Sequence, residues 1–137
     1  MLAPLVEGSR FGLAWVTLCA ALAIHVADEA VTGFLSVYNP AVRAIRERVP
    51  FLPLPTFTFG IWLGGLVVAV IGLASLSPFA FAKAAWMAVP SSAIAVFMLG
   101  NGALHIGASL YRRQFMPGVY SAPLLIAAAA WVLLSIP

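Results

Sequence analysis

The sequence predicts an all-α integral membrane protein, a four-helix bundle with a short interfacial helix between its first and second spans. Three observations carry that reading. Of the 137 residues, 64% are hydrophobic and 8% are charged, whereas a soluble domain carries about 25% charged residues to cover itself in water. Mean hydropathy is +1.08. The apolar residues also gather into four runs, each bounded by short loops that hold most of the arginines, so residues 1–137 form a single transmembrane domain.

A membrane helix needs about 20 mostly apolar residues. The first run that meets this extends from about residue 11 to 34. It ends on an acid pair and has no small-residue cleavage pattern after it, so it reads as a span and not as a cleaved signal. Next comes "YNPAVRAIRERVPFLPLP". Asn39 can cap a helix and Pro40 suits a first helical position. Val42, Ile45 and Val49 then fall on one side, with Arg43, Arg46 and Glu47 towards the other. The pattern predicts a helix over about 40–48 lying on the membrane surface, ended by Pro50, Pro53 and Pro55.

The second span covers about 56–76, and its Gly60 and Gly64 form a GxxxG that predicts close helix packing. The third covers about 84–111, with Pro90 predicted to kink its first third. The fourth, about 122–136, is the shortest. Its 15 residues reach only about 22 Å as a helix. A thin membrane region, a small tilt, or a non-helical extension back through "PGVYSAP" would each accommodate it.

Net charge is +3 and the isoelectric point is near 9.6. In a soluble protein that balance would point to nucleic acid. Here the basic residues sit in loops between spans, so they read as topology signals and no nucleic-acid partner is expected. The two termini and the 77–83 loop share one side, with Arg10 and Lys83; the other side has Arg43, Arg46, Arg48, Arg112 and Arg113. That asymmetry places the 35–55 and 112–120 loops in the cytoplasm. Arg112 and Arg113 also read as interfacial anchors, and Tyr111 and Tyr120 as interface-belt aromatics. The single Cys19 has no partner in the chain and reads as a small apolar filler.

Against this apolar background one cluster stands out. On a helix, residues three and four apart share a face, so His25 lies beside Asp28 and Glu29, with Thr32 one turn on. In the third span Asn101 and His105 are four apart and share a face too. Both sets fall in the part of the span nearest the basic loops, and the two spans run in the same direction. If the helices touch, all five residues converge on one pocket. Charged groups inside a membrane are costly, at roughly 2.5–3.5 kcal/mol near its centre on insertion scales, and two neighbouring acids need a proton, a cation or a metal beside them. The plainer alternative makes Asp28 and Glu29 helix-end acids that reach headgroup water or pair with Arg112 and Arg113, and each histidine a hydrogen-bonded core residue.

His25-Val-Ala-Asp28-Glu29 in a first span, Asn101-Gly-Ala-Leu-His105 in a later one, and Met116-Pro117-Gly118 downstream of Tyr111 together resemble the HXXEE-motif family of small bacterial membrane proteins. The order of motifs covers most of the chain. Asp28 stands where the family motif has Glu, which keeps the charge and shortens the reach. The resemblance implies a location in the bacterial inner membrane and supports the choice of site residues. It implies no particular reaction.

Two histidines and a carboxylate match the ligand set of catalytic zinc and also of non-haem iron. The leading expectation is therefore a metal-dependent enzyme with His25, Glu29 and His105 as ligands of a divalent zinc or iron ion. Asp28 would be a further ligand or general base, and Asn101 would orient a ligand or a substrate oxygen. The apolar walls imply a hydrophobic, lipid-like substrate that enters from the bilayer. Hydrolysis is favoured over oxidation because no electron-donor motif is visible. Three alternatives stand beside it: a metal-free His/acid isomerase, a haem carrier with His25 and His105 as axial ligands, and a proton-coupled transporter, which would need to oligomerise to make room for alternating access.

Overall fold

The computed structural model describes residues 3–136, with side chains from Arg10 onward, and the chain is helical throughout its ordered elements. Helix α1 covers Ala3–Thr32, α2 Phe34–Arg48, α3 Phe59–Ser75, α4 Ser77–Phe81, α5 Ala88–Arg112 and α6 Ala122–Leu133. A 3₁₀ turn, Ala85–Met87, leads into α5. Three segments are long and apolar enough to cross a membrane: Arg10–Thr32, Phe59–Phe81 and Ala85–Arg112. Helix α6, at 12 residues, falls short of that length. The third of the sequence-level options accounts for this, because residues 117–121 form a turn and not a helical extension.

Helix α1 is the central element and packs against α3, α4 and α6, while α5 packs chiefly on α6. Trp62, near the start of α3, stacks on Phe34 just past the end of α1. At the other end Trp15 Nε1 donates to the Leu73 carbonyl near the end of α3, 3.0 Å away. Helix α3 therefore runs antiparallel to α1. The core is a seam of Phe11, Trp15, Leu18, Leu22 and Val26 from α1 with Leu125, Ala129 and Val132 from α6. The small residues Ala128 and Ala129 of α6 let it sit close between α1 and α5. Outward-facing Ile61, Val68, Ile71, Phe97 and Leu104 leave an apolar exterior, which suits a lipid solvent and would be costly in water.

Four local expectations are corrected. The first span stops at Thr32, because Gly33 is left-handed (φ +80°) and turns the chain into α2. Helix α2 starts at Phe34, so Asn39 is not its cap and Pro40 lies inside it. The Asn39 amide is used elsewhere: Nδ2 donates to the Phe57 carbonyl (2.9 Å) and Oδ1 accepts from the Phe57 amide (3.1 Å). Pro90, expected to kink the first third of the third span, lies too near the start of α5 to break its hydrogen-bond ladder. It falls in the first turn of α5, where its missing N–H has no helical partner to lose. The Gly60–Gly64 pair has open space where a Cβ would stand, since α3 meets the core through Leu63, Leu66, Val70 and Leu73. Close packing occurs instead at Gly12, where a Cβ would press on the Phe81 ring of α4, and at Gly102, where it would press on Ile126 and the Ala122 carbonyl of α6.

Candidate metal centre

His25 lies seven residues before the end of α1 and His105 seven before the end of α5. Their side chains meet over the N-terminus of α6, beneath the 117–121 turn. The ring centroids are 4.8 Å apart in an edge-on contact. Glu29 Oε1 stands between them, 3.0 Å from His105 Nε2 and 3.7 Å from His25 Nε2. All three residues are buried, His25 at 1%, Glu29 at 6% and His105 at 8% exposure. A buried carboxylate is expensive unless paired and hydrogen-bonded, and the two imidazoles are its partners here.

The ligand atoms of His25, Glu29 and His105 all lie within 4.8 Å of one another, so the group could hold a metal ion. Donors about 2.0–2.1 Å from zinc at tetrahedral angles sit about 3.3 Å apart. The two separations to Glu29 bracket that value. The remaining nitrogen of His105 is also placed as a metal ligand requires: Nδ1–H donates to the Pro117 carbonyl at 2.5 Å, so Nε2 is the nitrogen that faces Glu29, bonding its carboxylate through an N–H when no ion is present and offering a lone pair once an ion takes that proton's place.

Asp28, next to Glu29 but turned about 100° around the helix, takes no part in this trio. Its Oδ2 accepts from the backbone N–H of Ser121 (2.9 Å) and from Ser121 Oγ (2.7 Å). The adjacent acids thus have different partners, one in the histidine pair and one at the start of α6. Neither turns to Arg112 or Arg113 among the described residues, so the helix-end ion-pair alternative finds no support. Asn101 reaches the centre directly, with Nδ2 donating to His25 Nε2 at 3.2 Å. Thr32 Oγ1 bonds back to the Asp28 carbonyl and stays outside the site.

Two residues of the site have no role in the sequence reading, although Pro117 stands in its Met-Pro-Gly motif. Ser121, 6% exposed, lies 2.8 Å from His25 Nδ1 through its Oγ. Pro117 supplies the carbonyl for His105. Ser121 immediately precedes Ala122 and Pro123, a local helix-start signature, but nothing in the sequence marks it as a partner of a histidine 96 positions away. Gly118 is the third contribution of this turn. Its φ is +83°, and a Cβ there would fall 2.7 Å from His105 ring atoms and 3.1 Å from Glu29 Cγ. The Met-Pro-Gly stretch therefore orients one histidine and leaves room for it.

The centre borders a cleft of about 230 Å³ lined by Phe34, Val37, Asn101, Leu104, His105 and Met116, together with Ala108 and Pro117. Only Asn101 and His105 offer it polar side chains. The Phe34 ring lies 5.9 Å from the His105 ring and continues into a row of aromatics, Tyr38, Phe57, Phe59 and Trp62. The profile of a family described as "Protein of unknown function with HXXEE motif" matches residues 16–132. No curated protein and no solved structure matches the chain.

Proposed function

The chain belongs to this HXXEE-motif family, and we propose that it is a membrane-embedded, metal-dependent enzyme acting on an apolar or lipid-like substrate. The observation that supports this most is the buried His25–Glu29–His105 trio at ligand spacing beside an apolar cleft. A divalent zinc or iron ion held there would supply a Lewis acid and an activated water. The residues of the chain do the rest. His25, Glu29 and His105 hold the ion; Asn101, whose amide now occupies the His25 Nε2 lone pair, would turn aside for the ion and offer its amide to a substrate oxygen. Phe34, Val37, Leu104 and Met116 would hold an apolar chain. Hydrolysis ranks ahead of oxidation, since the sequence carries no electron-donor motif.

The arginines at the site end, on α2 and after α5, against Arg10 and Lys83 at the other, favour a cytoplasmic site end in a bacterial inner membrane. A second reading, the metal-free His/acid isomerase, draws on one observation: Glu29 on His105 and Asn101 on His25 satisfy the polar atoms with no ion. The haem alternative fares worse, because rings in edge contact around a wedged carboxylate leave no slot for a flat macrocycle. For the transporter alternative no observation speaks.

The test compares total lipid extracts, by mass spectrometry, from bacteria expressing the wild type, His105→Ala or Glu29→Ala at matched levels. A lipid-like species consumed only by the wild type, with its turnover stopped by a chelator, is expected. Turnover that survives the chelator would move the isomerase ahead. Identical profiles in all strains would remove the enzymatic reading.

A further inference from the structure

We propose that Ser121 and Asp28 are positioning residues that fix the His25 proton on Nδ1 and so aim the Nε2 lone pair at Glu29 and His105. The purpose of this device rests on the metal reading above; its geometry does not. A serine hydroxyl has one proton to give, and an ionised carboxylate only accepts. Asp28 Oδ2 lies 2.7 Å from Ser121 Oγ and is held in place by the Ser121 backbone N–H at 2.9 Å. The other acceptor near that hydroxyl, the Gly118 carbonyl at 3.3 Å, also can only accept. Ser121 Oγ therefore spends its proton away from His25. Towards His25 Nδ1, 2.8 Å away, it presents lone pairs, and Nδ1 must be the donor.

The opposite side of the ring agrees independently. Asn101 Nδ2 donates to Nε2, which requires a lone pair there. On His105 a backbone carbonyl likewise takes the Nδ1 proton, while Nε2, 3.0 Å from Glu29, bonds the carboxylate through its own N–H until an ion replaces that proton. Both imidazoles thus turn an Nε2 towards Glu29. The relay also joins elements: Asp28 is on α1 and Ser121 is the residue before α6, so one hydroxyl serves both the contact between the start of α6 and α1 and the orientation of His25. A carboxylate at the start of α6 is further favoured by the helix dipole.

The test uses the full-length chain in detergent micelles with ¹⁵N-labelled histidine and a chelator present. Ring-nitrogen shifts should show His25 with a protonated Nδ1 and a bare Nε2. In Ser121→Ala and in Asp28→Ala that single tautomer should be lost, and Asp28→Glu should restore it. Zinc(II) titration of the same samples should give affinities about 10–100-fold weaker for the two alanine variants, with Asp28→Glu near wild type. A wild-type His25 protonated on Nε2 overturns the proposal even if no variant folds. So does a Ser121→Ala protein that keeps the wild-type tautomer. If the tautomers behave as stated while the wild type binds no zinc, the positioning stands and the metal reading fails.

Discussion

At Gly118 two constraints meet in one residue: a left-handed backbone and a side-chain position already filled by His105 and Glu29. Placing Ala there costs about 1–2 kcal/mol for the backbone alone, and the added methyl must displace the His105 ring. Gly118→Ala is expected to keep its helix content by circular dichroism, to lose about that much stability and to bind zinc more weakly. Unchanged zinc affinity would show that the turn does not shape the centre. At this scale the sequence was most legible where contacts are local. His25 with Glu29, and Asn101 with His105, follow from helical spacing. The sequence reads Glu29 as the ligand and Asp28 as a further ligand or general base, but spacing places both near His25 and only the fold reveals that Ser121 claims Asp28. Ser121 lay beyond reach because its partners are 93 and 96 positions away, whereas Pro117 stood in the quoted Met-Pro-Gly motif without a role assigned to it.

Among the elements, α2 shows how tertiary bonds override local signals. Asn-Pro is a sound helix start, yet the Asn39 side chain is drawn to Phe57 and the helix runs through from Phe34. Tyr38 adds a bond from its hydroxyl to the Pro55 carbonyl. Together these clamp α2 onto the segment leading into α3, and Phe34 and Val37 of α2 wall the cleft. Removing both Asn39 bonds should cost about 1–3 kcal/mol. Asn39→Ala is therefore expected to speed hydrogen exchange at the Phe57 amide while exchange in α1 and α6 stays at the wild-type rate. Unaltered exchange at Phe57 would mean that the clamp is not what holds α2. The Gly60–Gly64 motif failed as a packing signal because pattern alone does not say which face of α3 turns inward. Gly12 and Gly102, unmarked by any pattern, are the mid-helix glycines that packing uses.

For the whole molecule, the apolar runs were readable because composition marks them, and three segments are long and apolar enough to cross a membrane. The depth match of His25 and His105 followed from chain direction, and the meeting of the two rings bears it out. What could not be read is that α1 and α5 meet over α6, whose first turn gives way to the site and leaves it 12 residues long. The arginines at the site end set the proposed orientation. Single cysteines near Arg10 or Lys83, introduced after Cys19 is replaced by Ala, should react with an impermeant reagent on intact cells; labelling near Arg46 or Arg113 instead would invert the orientation.

The central claim is that three buried side chains hold an ion. It is tested most directly by elemental analysis of the chain purified in mild detergent with no metal added, beside His25→Ala, Glu29→Ala and His105→Ala. About one equivalent of zinc or iron in the wild type, lost in each variant that retains its helix content, is the predicted result. Wild-type protein without a transition metal, or folded variants that keep the full wild-type complement, would contradict it.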